Sequence, residues 1–175
     1  MYYDGGNMEP GKRLRKERQI LLKEIEESNP DFVPGNKQVF SSLAIVVVLQ
    51  FINLVFGVAF RLHYGIPFKL NEMAVFVWPL LLSFIFARLI YSFGSKLLIY
   101  LMLLGGIASL VFAYINDVFY NLNTPYILFN IIGIFTIAAS LAQTVSMLFL
   151  LLGRKCKTYF ALIVDFNKKL SEKAK

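Results

Sequence analysis

The chain has 175 residues, of which 57% are hydrophobic and 15% aromatic, and its formal net charge is +7. Its mean hydropathy of +0.61 lies above the usual balance of a soluble domain. Four long apolar segments leave room for two short tails only. We therefore expect one membrane domain and no soluble catalytic domain.

The N-terminal tail, residues 1–38, contains an amphipathic pattern. Apolar residues recur at helical spacing over residues 9–28 among Lys, Arg and Glu, which predicts a short helix at the membrane surface. Residues 31–36 include Pro34 and Gly35 and are expected to form a linker into the first span. We expect the basic residues of the first helical turns to contact anionic lipid headgroups. These residues are Lys12, Arg13 and Arg15.

Four apolar segments follow, at about residues 39–60, 73–93, 97–115 and 126–152. Each has the length of about 20 residues that crosses a hydrocarbon core about 30 Å thick. The sequence therefore predicts an all-α integral membrane protein, in which four transmembrane helices form an antiparallel bundle over residues 39–152. The second and third segments are linked only by Gly94, Ser95 and Lys96, which predicts a helical hairpin.

The C-terminal tail, residues 153–175, is basic and amphipathic. We expect it to continue the fourth span as a helix and then to run along the membrane surface. Its basic residues nearest the span are expected to contact lipid headgroups. These residues are Arg154, Lys155 and Lys157.

Lysine and arginine residues are concentrated in the two tails, whereas residues 116–124, the expected third loop, contain none. Because four spans place both tails on one side, the positive-inside rule predicts that both termini are cytoplasmic. Attraction to the membrane surface accounts for the basic charge, so a nucleic-acid partner is not expected.

Small and polar residues recur three or four apart along one face of three spans. Small residues allow close helix approach, and polar side chains in lipid bond to neighbouring helices. The first interpretation is that these faces pack the bundle. The alternatives are a water-filled path or ligand site, and contact with a partner helix. The residues are Gln50, Asn53 and Gly57 in the first span, Gly105, Ser109 and Ala113 in the third, and Thr136, Ser140, Gln143 and Thr144 in the fourth.

Arg88 is the one charged residue well inside a span, about five residues past the middle of the second. A charged residue inside a span often has a functional role, because placing its charge in lipid costs free energy. We expect Arg88 to extend towards the inner headgroups and contact lipid phosphate. The alternatives are an ion pair in the bundle or with a partner, and a role in transport or gating. The absence of Asp and Glu from the four spans argues against proton-coupled transport.

Residue types for catalysis or metal binding are sparse. The single histidine, His63, and the single cysteine, Cys156, are expected on opposite sides of the membrane, so no metal site or cofactor is expected. Glu72 and Asp117 flank the outer loops near His63, and we expect all three to be solvated. Cys156 next to basic residues is a candidate for S-acylation.

These features together favour a non-catalytic small membrane subunit or adaptor of a larger membrane assembly. One alternative is a small oligomeric transporter or channel that uses the polar faces as a path. Another is a membrane enzyme that acts on a lipid-linked substrate near His63, Glu72 and Asp117. The expected partners are membrane lipids and either a larger membrane protein or further copies of this chain.

Overall fold

The computed structural model describes residues 10–67, 70–115 and 127–173, and these residues form helices and connecting turns but no strands. The prediction of an all-helical chain is confirmed. Six helices are present in this described part. They are α1 (Pro10–Ser28), α2 (Phe32–His63), α3 (Leu70–Phe93), α4 (Lys96–Ile115), α5 (Ile127–Leu152) and α6 (Arg154–Lys173).

Among the residues that the structure describes, three helices are long and apolar enough to cross a membrane: α2, α4 and the Asn130–Leu152 part of α5. The Val77–Phe93 part of α3 is a shorter apolar stretch. Large side chains such as Phe84 and Phe112 are exposed on the outside of the helices. Lipid chains are as apolar as these side chains, so such a surface suits a membrane protein.

Helices α2 to α5 pack in a ring, each against its neighbours. Helix α5 packs most extensively, against both α2 and α4, whereas α3 packs on α2 and less closely on α4. Within the described residues, α3 does not pack on α5, nor α2 on α4, across the ring. A space therefore remains between the four helices.

One face of α4 carries the contact with α5. Its buried residues are Ile99, Met102, Gly106 and Ala113, whose spacings keep them on one side of the helix. A Cβ atom added at Gly106 would lie 2.6 Å from the hydroxyl oxygen of Thr144 on α5. The absence of a side chain at this position therefore allows the two backbones to approach closely.

Helix α2 begins at Phe32, so the prediction of a linker over residues 31–36 was wrong. Pro34 lies in the first turn, where backbone N–H groups have no intrahelical partner, so proline removes no hydrogen bond there. Gly35 faces α6, because an added Cβ would lie 2.6 Å from the carbonyl oxygen of Lys155. The 32 residues of α2 extend about 48 Å, which exceeds a hydrocarbon core about 30 Å thick.

The prediction that the C-terminal tail continues the fourth span as one helix was also wrong. Gly153 separates α5 from α6, and α6 packs back against α2 and the ends of α3 and α5. Helix α1 packs on α6 and α2, with Leu21 buried and Leu22 and Ile25 against the core. We call α1 and α6 together the platform. The buried face of α6 consists of Cys156, Tyr159, Phe160, Ile163 and Phe166.

Candidate functional site

The structure brings the predicted polar faces of α2 and α5 together. Thr136 donates a hydrogen bond from its hydroxyl to the side-chain oxygen of Asn53, at 3.1 Å. Gln50 donates from its side-chain amide to the side-chain oxygen of Gln143, at 3.4 Å. Gly57, on the same face of α2, is buried. These contacts join two helices through neutral groups.

Helix α4 is joined to α5 in the same way. Gln143 donates to the carbonyl oxygen of Met102 at 2.7 Å, and the Ser109 and Ser140 hydroxyl oxygens are 2.8 Å apart. Ser140 and Gln143 are buried, with 4% and 9% of their surface exposed. A buried amide or hydroxyl without a partner is costly, so these bonds hold α4, α5 and α2 in one arrangement. We call these residues the polar seam: Gln50, Asn53, Ser109, Thr136, Ser140 and Gln143.

The remaining predicted face residues have different environments. Thr144 donates its hydroxyl to the carbonyl of Ser140, within its own helix, at 2.9 Å. Ala113 is buried, and Gly105 is exposed, with Gln143 as its nearest neighbour. The tighter contact with α5 lies at the adjacent Gly106, where an added Cβ would meet Thr144 and the backbone of Ser140. Two adjacent glycines both fit a small-residue spacing, and the sequence does not show which one faces the neighbouring helix.

The polar seam borders a cavity of about 460 Å³ between the four helices, which we call the central cavity. Helix α3 lines the opposite side with Pro79 and Ser83, among other residues, and exposed lining residues such as Phe112 leave the cavity partly open to the outside. Ser83 was not predicted, because a single serine in an apolar span gives no periodic signal. All described lining residues are uncharged, and the polar ones offer only hydroxyl and amide groups. The remaining lining residues are Leu82, Phe86, Leu101, Met102, Gly105 and Phe112.

Arg88 lies outside the central cavity, on an exposed side of α3. It is exposed, and within the described part of the chain it has no hydrogen bond or ion pair. It lines a lateral groove of about 250 Å³ between α2 and α3, which we call the Arg88 groove. The other lining residues are Phe40, Leu43, Ala44, Val47, Phe84, Ala87 and Tyr91.

Two side chains of α6 cap the end of α3. The Tyr159 hydroxyl donates to the carbonyl of Tyr91 at 3.0 Å, and the Asn167 side chain donates to the carbonyl of Ser92 at 2.9 Å. The last carbonyls of a helix have no intrahelical partner, so these bonds satisfy acceptors that would otherwise stay free. Burial raises the pKa of Tyr159 well above its usual range. The hydroxyl therefore remains a donor at neutral pH.

Cys156 lies on the buried face of α6, with none of its surface exposed. Its sulfur is 4.0 Å from the side-chain oxygen of Gln38 on α2, and burial raises the pKa of the thiol. S-acylation at this position would require α6 to leave the bundle. The basic residues predicted to contact headgroups are exposed on the other side of α6. They are Arg154, Lys155 and Lys157.

The residues considered for catalysis do not form a described cluster. His63 is exposed at the end of α2, with its ring perpendicular to that of Tyr64 and 4.8 Å from it. Asp117 and the side chain of Glu72 lie outside the described part of the chain. So do the side chains predicted to contact lipid from α1, namely Lys12, Arg13 and Arg15.

Comparisons of the chain with protein-family models, with curated proteins and with solved structures give no match. The arrangement of side chains is therefore the basis for inferring a function. Four features are relevant: the polar seam, the central cavity, the Arg88 groove and the platform.

Proposed function

We propose that this chain is a non-catalytic subunit or adaptor of a larger membrane assembly. In this proposal α2 to α5 are four membrane spans in an antiparallel bundle, and both termini and the platform are cytoplasmic. The basic tails support this orientation through the positive-inside rule. Helix α3 has 24 residues, or about 36 Å, which is enough for a hydrocarbon core about 30 Å thick.

The platform is the observation that carries the proposal. It is attached to the bundle by the close backbone contact at Gly35 and by the hydrogen bonds that Tyr159 and Asn167 donate to α3. A surface that is already ordered loses little conformational entropy when a partner binds. Helix α6 is therefore a fixed surface on which a partner could dock, and this supports an adaptor role. A tail without structure would have to fold first, at a cost in conformational entropy.

The outer face of the platform carries charges of both signs. Lys169 pairs with Asp165 on α6 at 3.0 Å, and both side chains are more than half exposed. Mixed charges of this kind favour recognition by electrostatic complementarity, which gives specificity more than affinity. Further exposed charged residues on the described part of the platform are Lys16, Arg18, Lys23, Glu24, Glu26, Glu27, Arg154, Lys155, Lys157, Lys168 and Glu172.

The polar seam supports the non-catalytic part of the proposal. Its amides and hydroxyls bond to one another across helices, so their polarity is used to hold the bundle. Neutral groups that are already bonded in this way are poor candidates for general acids, bases or nucleophiles.

Photo-crosslinking from the platform tests the subunit proposal. A photoreactive residue placed at Lys157 or Lys168 should capture one membrane protein in a fixed ratio to this chain. The matched control carries the same residue at His63, which is exposed at the opposite end of α2. Equal capture from all three positions, or capture of nothing, would contradict the proposal.

A small oligomeric transporter or channel is the second candidate, and the central cavity favours it. The cavity is lined in part by neutral hydroxyl and amide groups, which offer hydrogen bonds to a polar solute. Flux into proteoliposomes should then disappear in Asn53→Leu and Ser140→Leu. The control Ser41→Ala should keep its flux, because the exposed Ser41 hydroxyl bonds only within α2. Flux that these two cavity variants leave unchanged would assign the cavity to packing.

A further inference from the structure

The Arg88 groove combines an apolar channel with one cation. Helix α2 contributes Phe40, Ala44 and Val47, which lie one turn apart on a single face, and α3 contributes a matching face around Arg88. The rings of Phe40 and Tyr91 meet edge to face at 6.1 Å, at the platform end of the groove. The lining is therefore apolar along its length except at Arg88.

The depth of Arg88 places its guanidinium near the membrane surface. Arg88 precedes Phe93, the last residue of α3, by five residues, or about 7–8 Å along the helix. A long arginine side chain covers such a distance, so its charge reaches the headgroup region while its stem stays in the groove. We propose that the Arg88 groove binds a phospholipid, with its phosphate at Arg88 and one acyl chain between α2 and α3.

A lipid phosphate would supply the anion that the Arg88 guanidinium lacks. The described residues supply no carboxylate to this guanidinium, and a charge at a membrane helix without a counterion is unfavourable. Guanidinium groups form two parallel hydrogen bonds with phosphate oxygens, which adds geometric selectivity. Lys37 is exposed three residues before Phe40 on the same side of α2, which favours an anionic headgroup.

The shape and lining of the groove suit an acyl chain. It is a lateral groove of about 250 Å³ lined mainly by apolar side chains. An acyl chain has no backbone polar groups to satisfy. This lipid site rests on the proposed membrane span of α3 but not on the subunit role.

Native mass spectrometry of the full-length protein tests the site, with dioleoylphosphatidylglycerol as the probe. The protein should retain one such lipid, whereas dioleoylglycerol, which lacks the phosphate, should be lost. Arg88→Gln should lower phosphatidylglycerol retention about tenfold, the usual effect of losing charge-assisted hydrogen bonds. The control Lys168→Gln removes one positive charge from the exposed face of α6 and should retain the lipid. Equal retention in all variants, or equal retention of the two lipids, would overturn the proposal.

A second variant keeps the test valid if Arg88→Gln does not fold. Ala44→Phe leaves Arg88 in place and fills the groove, so it should also reduce retention. A phosphatidylglycerol with a photoactivatable acyl chain should label residues 40–47 and 84–91 in the wild type, and label them much less in Ala44→Phe. Labelling spread evenly over all lipid-facing helices would contradict the site. A protein partner that covers Ala44 and Arg88 in stoichiometric amounts would also contradict it.

Discussion

Gly106 determines how closely α4 and α5 approach. An added Cβ there would lie 2.6 Å from the Thr144 hydroxyl oxygen and 3.3 Å from the backbone of Ser140. The neighbouring Gly105 has only the flexible end of Gln143 nearby, at 3.5 Å. The sequence predicted a small-residue contact in this helix but placed it one residue away, because adjacent glycines satisfy the same spacing rule.

The two glycines provide a matched pair of variants. Gly106→Ala should destabilise the bundle by about 1–3 kcal/mol, because the added methyl group forces the helices apart. Gly105→Ala should be neutral or stabilise by up to about 1 kcal/mol, because alanine favours the helix and meets only an ordinary contact. Unfolding of both variants in the same detergent gives the comparison. Equal effects would show that α4 and α5 do not approach as described.

The polar seam shows what residue patterns can predict. The spacing of Gln50 and Asn53 on α2 and of Thr136 and Ser140 on α5 indicated that these faces would seek partners. The structure pairs them, with Asn53 accepting from Thr136. The pattern did not show the central cavity, because Ser83 is isolated in its span.

At the scale of elements, α6 is the clearest difference between expectation and structure. Its alternation of apolar and charged residues predicted an amphipathic helix over the tail. An amphipathic face fits a lipid surface and a protein surface equally well, so the sequence did not show that α6 packs on the bundle. Gly153 permits the break, and Gly35 provides the space on α2.

The packing of α6 can be followed through the only cysteine of the chain. Gly35→Leu should displace α6, because even a Cβ at this position would lie 2.6 Å from the Lys155 carbonyl. Labelling of Cys156 by a maleimide should then accelerate about tenfold, which corresponds to about 1.4 kcal/mol of opening free energy. The control Val33→Leu enlarges an exposed side chain of the same turn and should leave the rate unchanged. Rapid labelling in the wild type would contradict a buried thiol.

The docking of α6 should weaken at alkaline pH. Burial raises the pKa values of Cys156 and Tyr159, so the folded state holds protons that the unfolded state has lost. Below the ordinary pKa of a thiol, about 8.5, these two groups do not reduce the free energy of unfolding. As the pH rises above that value, the free energy of unfolding falls. Thermal unfolding between pH 7 and 10.5 measures this effect, and Tyr159→Phe should reduce the alkaline loss. A melting temperature that does not change up to pH 10.5 would contradict the burial of Cys156 and Tyr159 against the bundle.

At the scale of the whole molecule, hydropathy identified the apolar helices but not their arrangement. A lipid-facing leucine and a helix-facing leucine are equally apolar, so the order of α2 to α5 around the ring is not encoded in hydropathy. The same ambiguity concealed the Arg88 groove. Charge carries separate information, because the basic tails predict an orientation that packing alone does not.

Orientation can be tested with single cysteines in a Cys156→Ala background. His63→Cys should react with a membrane-impermeant thiol reagent added outside intact cells. Lys168→Cys should react only after the membrane is opened, because the proposed four-span topology places α6 in the cytoplasm. Both positions are exposed in the structure, so burial does not bias the comparison. Labelling of Lys168→Cys in intact cells would contradict the proposed topology.

The proposed role of this chain is that of a subunit in a larger membrane assembly. Its most direct test is purification of the tagged chain in native nanodiscs, followed by mass spectrometry of everything retained. A larger membrane protein should be retained in stoichiometric amount, lost when α6 is displaced by Gly35→Leu and kept in Val33→Leu. A homogeneous oligomer of this chain with no other protein would contradict the claim and favour the transporter or channel.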